Sequence, residues 1–358
     1  MKNFIPKPVL TIIVLIFIVG AIIYLQAGKT KIDNKQIFSN TNQAPEIAGT
    51  QKWINSEPLT LESLRGKVVL IDFWTYTCIN CIRTLPYLKD WDKKYRNDGL
   101  VIIGVHSPEF EFEKKYENVL SAIKKYEIKY PVVQDNDFSI WRAYNNRFWP
   151  HEFLIDIDGN IREDHAGEGS YDETEKKIQE LLNERMKRLN QKKSINEEIK
   201  NPETAVGVDF SKINSPEIYL GYKFYRGNFG SSEIIPEQTV DYKIPSNIEI
   251  NNVYLEGKWK NNADNMELVS EEGSIVLKFD AKNVNIVAGS EKGSEASILL
   301  DNNYVNDKNK GSDANDKSMA AINNERLYSL VNTEDYGQHS LKINIKESGF
   351  KIYTFTFG

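Results

Sequence analysis

The rhythm of hydrophobic and polar positions changes three times along this chain. Residues 8–28, between Lys7 and Lys29, carry no charge and are dominated by Ile, Val, Leu and Phe. With no polar face the run is unsuited to a half-exposed helix, and as a helix it is long enough to cross a hydrocarbon core of about 30 Å. The polar residues 29–42 read as a tether. From Val68 short apolar runs alternate with helical periods: strands at 68–73 and 100–105, helices at 80–95 and 112–126. This order predicts an α/β region with a largely parallel sheet and helices on both faces. Residues 151–156 and 160–165 flank Ile157-Asp158-Gly159, an antiparallel hairpin signal. A charged helix over 171–190, with Leu181, Leu182 and Met186 inward, closes this region.

After a polar linker at 191–205 the helical period disappears. Short alternating stretches at 253–257, 274–279, 283–287, 297–300, 341–345 and 351–357 lie between Gly, Asn, Asp and Ser clusters, the spacing of an all-β sandwich; 301–316 reads as an exposed loop. The expected organisation is a signal anchor and tether (1–43), an α/β domain (44–190), the linker and a β-sandwich domain (206–358). No small-x-small cleavage pattern follows the apolar run, so it reads as a retained single-pass anchor. The short basic tail before it resembles a signal anchor with the bulk outside the cytoplasm. A net charge of -6, spread over 45 basic and 51 acidic residues without a long single-sign block, gives no nucleic-acid footprint.

The chain has 2 cysteines, Cys78 and Cys81, placed where the 68–73 strand gives way to a helix. Haem attachment needs His after the second cysteine, and residue 82 is Ile. Zinc needs about four ligands, and His106, His151, His165 and His339 are scattered. A static bridge over so short a loop removes little unfolded-state entropy. A cycling dithiol fits the position better. Three-residue spacing at a helix start puts both sulfurs on one face, and free N–H groups there favour a thiolate at Cys78. Cys78 then attacks a substrate disulfide and Cys81 resolves it. The dithiol, as a redox-active disulfide, needs no other cofactor.

These residues resemble thioredoxins, and more closely the membrane-tethered TlpA/ResA-like branch. Asp72 stands six residues before Cys78, Trp74 and Pro86 occupy the positions of the family's tryptophan and helix proline, and Trp149-Pro150 precedes the strand where the family carries a cis-proline. "WTYTCINC", "GVHSPEFEFE", "RFWPHEFLID" and "SPEIYLGY" are similar to the soluble part of DipZ-type proteins. That resemblance implies a thioredoxin-like domain followed by a jelly-roll, carbohydrate-binding-like sandwich, acting on protein thiols or disulfides, more in the reducing direction. A single anchor in place of an electron-conducting membrane domain implies a separate, CcdA-like membrane donor or acceptor.

Burial at a strand end raises the pKa of Asp72 and makes it a candidate base for Cys81. Pro150, if cis, exposes backbone for a substrate strand beside Cys78, with Trp149, Thr77, Ile79 and Asn80 as contact candidates. His106 and Trp74 are candidates for tuning the thiolate, His106 because it follows a strand end on the Cys78 side of the sheet. Two other readings stay open. Thr75, three residues before Cys78, invites a thiol peroxidase, although Ile71 stands where those enzymes have proline. Tyr219, Tyr222, Phe224, Tyr225 and Phe229 offer stacking surface for a cell-envelope carbohydrate or other partner, the dithiol being incidental.

Overall fold

The computed structural model describes residues 42–47, 52–231 and 233–358. The apolar run 8–28 and most of the tether lie outside them, and no helix among the described residues is long and apolar enough to cross a membrane.

The α/β region is built on six strands: β1 (Trp53–Ile54), β2 (Val68–Trp74), β3 (Leu100–His106), β4 (Val132–Gln134), β5 (His151–Ile155) and β6 (Ile161–Ala166), in the order β1-β4-β3-β2-β5-β6. Only β2, β3 and β4 run parallel; β1, β5 and β6 pair antiparallel. The sheet is therefore mixed rather than largely parallel. Four α-helices accompany it: α1 (Ile79–Tyr95), α2 (Tyr116–Lys125), α3 (Ser139–Ala143) and α4 (Tyr171–Arg188). A 3-10 turn, Glu111–Lys114, precedes α2 where one continuous helix was expected.

Strand alternation divides β2 between two cores. Val68, Leu70 and Trp74 join the cluster under α1 and α4, while Val69, Ile71 and Phe73 join the opposite cluster with Ile140 and Tyr144. By the same period Asp72 faces α1. Gly104 on β3 is required by packing, since a Cβ there would come within 2.9 Å of the Trp74 indole nitrogen.

The C-terminal region is β, and its strands pair antiparallel with one another: β7 (Ile218–Tyr219), β8 (Thr239–Tyr242), β9 (Val253–Asn261), β10 (Met266–Leu268), β11 (Glu272–Ser290), β12 (Ser294–Leu300), β13 (Asn303–Tyr304), β14 (Met319–Ile322), β15 (Arg326–Lys346) and β16 (Phe350–Phe357). The stretches at 274–279 and 283–287 are one strand, β11, with register shifts between Ala281 and Asn283 and between Val284 and Asn285. The sheet path runs β13-β12-β15-β11-β16-β10-β9-β8, and β9 also pairs with β11, so the sheet folds over on itself.

The two regions share a core. Tyr219, Val287, Leu327 and Tyr353 belong to the same buried cluster as Leu85, Phe110 and Phe112. The Tyr353 ring lies 5.2 Å from Phe110 and 4.8 Å from Phe112, centroid to centroid. Burying aromatics of this size contributes roughly 1.5–3 kcal/mol each, enough to hold the β region firmly against the residues around Cys78.

Candidate active site

Cys78 is the N-cap of α1. Its backbone is extended (φ -74°, ψ 113°), and its Sγ accepts a hydrogen bond from the Cys81 N–H at 3.2 Å, the role an Asp or Ser oxygen fills at other helix starts. Both cysteines are free thiols, Cys78 half-buried and Cys81 buried. The helix donor thus meets the sulfur as the spacing predicts.

The resulting ionisation is the opposite of the expected one. Burial pushes the Cys78 thiol above its ordinary range; the hydrogen bond from Cys81 opposes this, and Glu217 and Glu109 add to the rise. One N–H and a screened helix end cannot outweigh desolvation reinforced by two acidic neighbours. Cys81 is pushed well up by burial, then by Cys78, with Asp72 adding to the shift.

Asp72 is 1% exposed, and neither carboxyl oxygen has a hydrogen-bond partner among the described residues. Burial raises its pKa to about 8. The β2–β5 register sets Glu152 directly opposite Asp72, and burial followed by the Asp72 charge lifts Glu152 well above the usual range. Sequence reading missed Glu152, because only the pairing register brings it there.

Trp149-Pro150 is a cis peptide. Trp149 donates its indole N–H to the Ser107 carbonyl at 3.0 Å and lines a 200 Å³ cavity that also touches Cys78, Thr77 and Asn80. Thr77 is buried there, but its hydroxyl is committed to Glu113 Oε1 at 2.6 Å rather than left for substrate. Asn80 accepts from Arg83 at 2.7 Å. Arg83 is itself bonded to Glu168. Ile79 lines a different cleft, of 510 Å³, with Ile82, Pro86 and Leu327.

His106 and Trp74 depart from the tuning roles expected of them. His106 is fully buried, lies 3.3 Å from the Thr75 hydroxyl, stacks on Tyr76 and meets Trp74 edge-on. Burial lowers its pKa to about 3, so the ring is neutral packing under the loop and carries no charge near pH 7. Trp74 is fully buried and belongs to that same packing. His151 pairs with Phe73 on the far face and binds Asn146 and Asp164.

The far wall of the Cys78 cavity belongs to the β region. Glu217, Tyr219, Arg226, Thr354 and Thr356 face Glu109, Arg147 and Phe148 across it. The Tyr219 hydroxyl lies 2.7 Å from Glu109 Oε1 and 3.1 Å from Glu217 Oε2. Burial, with Glu113 adding to it, lifts Glu109 to about 8. Glu113 in turn accepts the backbone N–H groups of Glu109 and Phe110, tying this loop to Thr77. Two residues expected to offer stacking surface are used at the junction instead: Tyr219 is 6% exposed, and Phe224 packs on Phe110 and Tyr219.

Comparison with known proteins agrees with this geometry. Residues 41–164 match the AhpC/TSA family and residues 215–358 the thioredoxin like C-terminal domain. The thiol-disulfide oxidoreductase YkuV of Bacillus subtilis is 30% identical over 141 residues, 39% of this chain and 94% of YkuV. The chain belongs to the thioredoxin-like thiol-disulfide oxidoreductases. Another such oxidoreductase, ResA of Bacillus cereus, is 28% identical over 170 residues, 48% of this chain and 94% of ResA. Protein DipZ of Mycobacterium bovis is 37% identical over 262 residues, 72% of this chain. The chain spans 36% of the length of that DipZ.

Proposed function

We propose that this oxidoreductase reduces protein disulfides through Cys78 and Cys81 while tethered to a membrane by residues 8–28, with its globular part outside the cytoplasm. The observation that carries the reading is the Cys78 sulfur at the mouth of α1, sharing a cavity with Trp149 of the cis Trp149-Pro150 peptide, with the buried Asp72 near enough to Cys81 to raise its pKa. Cys78, which rests as the thiol, gives its proton to solvent, and the thiolate so formed attacks one sulfur of the substrate disulfide, whose S–S bond breaks and releases the first substrate thiolate. Asp72 takes the Cys81 proton; Cys81 then attacks Cys78 Sγ and expels the second thiolate. Two electrons pass to the substrate, and the protein is left as the Cys78–Cys81 disulfide. A separate, CcdA-like membrane donor returns two electrons.

The raised Cys78 pKa supports the reducing direction. Stabilising the reduced form makes a dithiol a strong oxidant; here burial above all, with Glu217 adding to it, withholds that stabilisation from the thiolate. The midpoint potential is expected near the thioredoxin value of about -270 mV rather than the oxidant extreme of about -120 mV. Trapping with Cys81→Ser in cells tests the assignment: covalent mixed disulfides through Cys78 are expected, and a variant that captures no partner while the parent exchanges no disulfide refutes it. A peroxidase would need Thr75 turned to the sulfur, and its hydroxyl lies instead against His106. The β region, which we read as a jelly-roll-type fold, serves in this account as a wall of the site rather than as a carbohydrate platform.

A further inference from the structure

We propose that the Cys78 cavity is a two-sided substrate site in which Arg147 and Arg226, one from each region, select disulfides carrying a carboxylate close to the reacting cysteine. This rests on the exchange reading above. The inner cavity, at 200 Å³, has the room of about seven liquid waters, which suits one cysteinyl residue and excludes a folded surface. At its β-region wall stands Thr356, 4% exposed, with a hydroxyl that has no partner among the described residues. An unpaired hydroxyl this deep costs free energy unless something entering the cavity bonds it.

A second cavity of 710 Å³ shares Glu109, Trp149 and Arg226 with the first and opens past Lys114 and Lys223. Substrate atoms beyond the cysteine extend along it. Arg226 lies over the Tyr219 ring, 4.1 Å from the centroid, which holds the guanidinium at the junction of the two cavities. Among the described residues neither Arg147 nor Arg226 is in an ion pair, and both are exposed at the mouth. In the inner cavity the acidic groups facing them are Glu109 and Glu217, with Tyr219 between the two; the outer cavity that Arg226 shares is also lined by Asp264 and by Glu111, which pairs with Lys114. Glu109 is largely protonated at neutral pH, leaving, within the inner cavity, two guanidinium charges against the one carboxylate of Glu217. Planar guanidinium donors bind carboxylates in pairs. A small anionic disulfide and an acidic segment beside a protein cysteine present the same chemistry.

The test uses the full chain, reduced, and reads second-order oxidation rates by glutathione disulfide, which is anionic, and cystamine, which is dicationic. The parent is expected to favour glutathione disulfide by about tenfold, the effect of one well-formed charge contact. Arg226→Gln and Arg147→Gln should each lower the glutathione disulfide rate and raise the cystamine rate, and Arg226→Glu should invert the preference. Selectivity unchanged by all three overturns the proposal while leaving exchange intact. No exchange with either probe overturns the function itself. Cysteine-peptide disulfides with acidic or basic flanks then separate the sources: acidic peptides outpacing glutathione disulfide assign a protein segment, and the reverse assigns a small thiol.

Discussion

One wall of the Cys78 cavity, with Thr77, Cys78 and Asn80, comes from a single turn of chain. The facing wall joins residues far apart, since Thr354 bonds the Ile218 carbonyl across 136 positions. The near wall supplies the nucleophile and the helix donor that favours its thiolate. The far wall supplies burial and a carboxylate that disfavour it, and on balance the far wall prevails. A reactive group can thus be placed by local geometry and have its ionisation set by residues that folding brings from elsewhere.

The largest effect expected is from Cys78→Ser, which removes the nucleophile from the near wall and should abolish mixed-disulfide formation, read by non-reducing electrophoresis. Next, Asp72→Asn should slow resolution about 10²-fold while changing the first attack little, measured by single-turnover quench. In the parent, resolution should speed up as pH rises through about 8, where Asp72 ionises; the variant should lose that inflection. Pulling the walls apart is a direct test of their opposition. Phe110→Ala at the shared core should cost about 3–5 kcal/mol in urea unfolding, and the Cys78 pKa should fall toward the ordinary thiol value as the β region loosens. An unchanged pKa in a destabilised but folded variant would place the cause in the near wall.

The smallest effect is from Glu109→Gln: Cys78 alkylation should change little at neutral pH, where Glu109 is largely protonated, and should run a few-fold faster than in the parent only above about pH 8, where the parent gains a charge that the variant lacks. It has a stability counterpart. Glu109 has a raised folded pKa, so the folded state holds its proton more tightly than the unfolded state does. The stabilisation is full below the unfolded value of 4.5 and is lost as pH rises to about 8. Glu109→Gln should flatten that slope in denaturation curves taken across the interval.

Much of the near wall was legible. The β-branched run at 68–73 and the helical period after it gave β2 and α1, and the apolar flanks of Asp72 gave its burial. The hairpin at Ile157-Asp158-Gly159 followed from its turn residues. The strand β4 was not visible, being three residues long. β15 showed only its apolar end at 341–345, because its middle, with Asn332, Glu334, Asp335 and His339, reads as loop; pairing with β11 makes it strand. Glu113 and Glu152 were missed because each acts through a partner that is distant in sequence.

The sequence by itself determined the dithiol, its place at a helix N-cap and the buried acid six residues earlier, because spacing, propensity and strand alternation are short-range properties. Only the tertiary structure decided that Cys78 rests protonated, that His106 is neutral filler, and that Glu217, Tyr219, Arg226 and Thr356 share its cavity. Desolvation and charge act through space, so they depend on which surfaces meet rather than on which residues are neighbours in the chain.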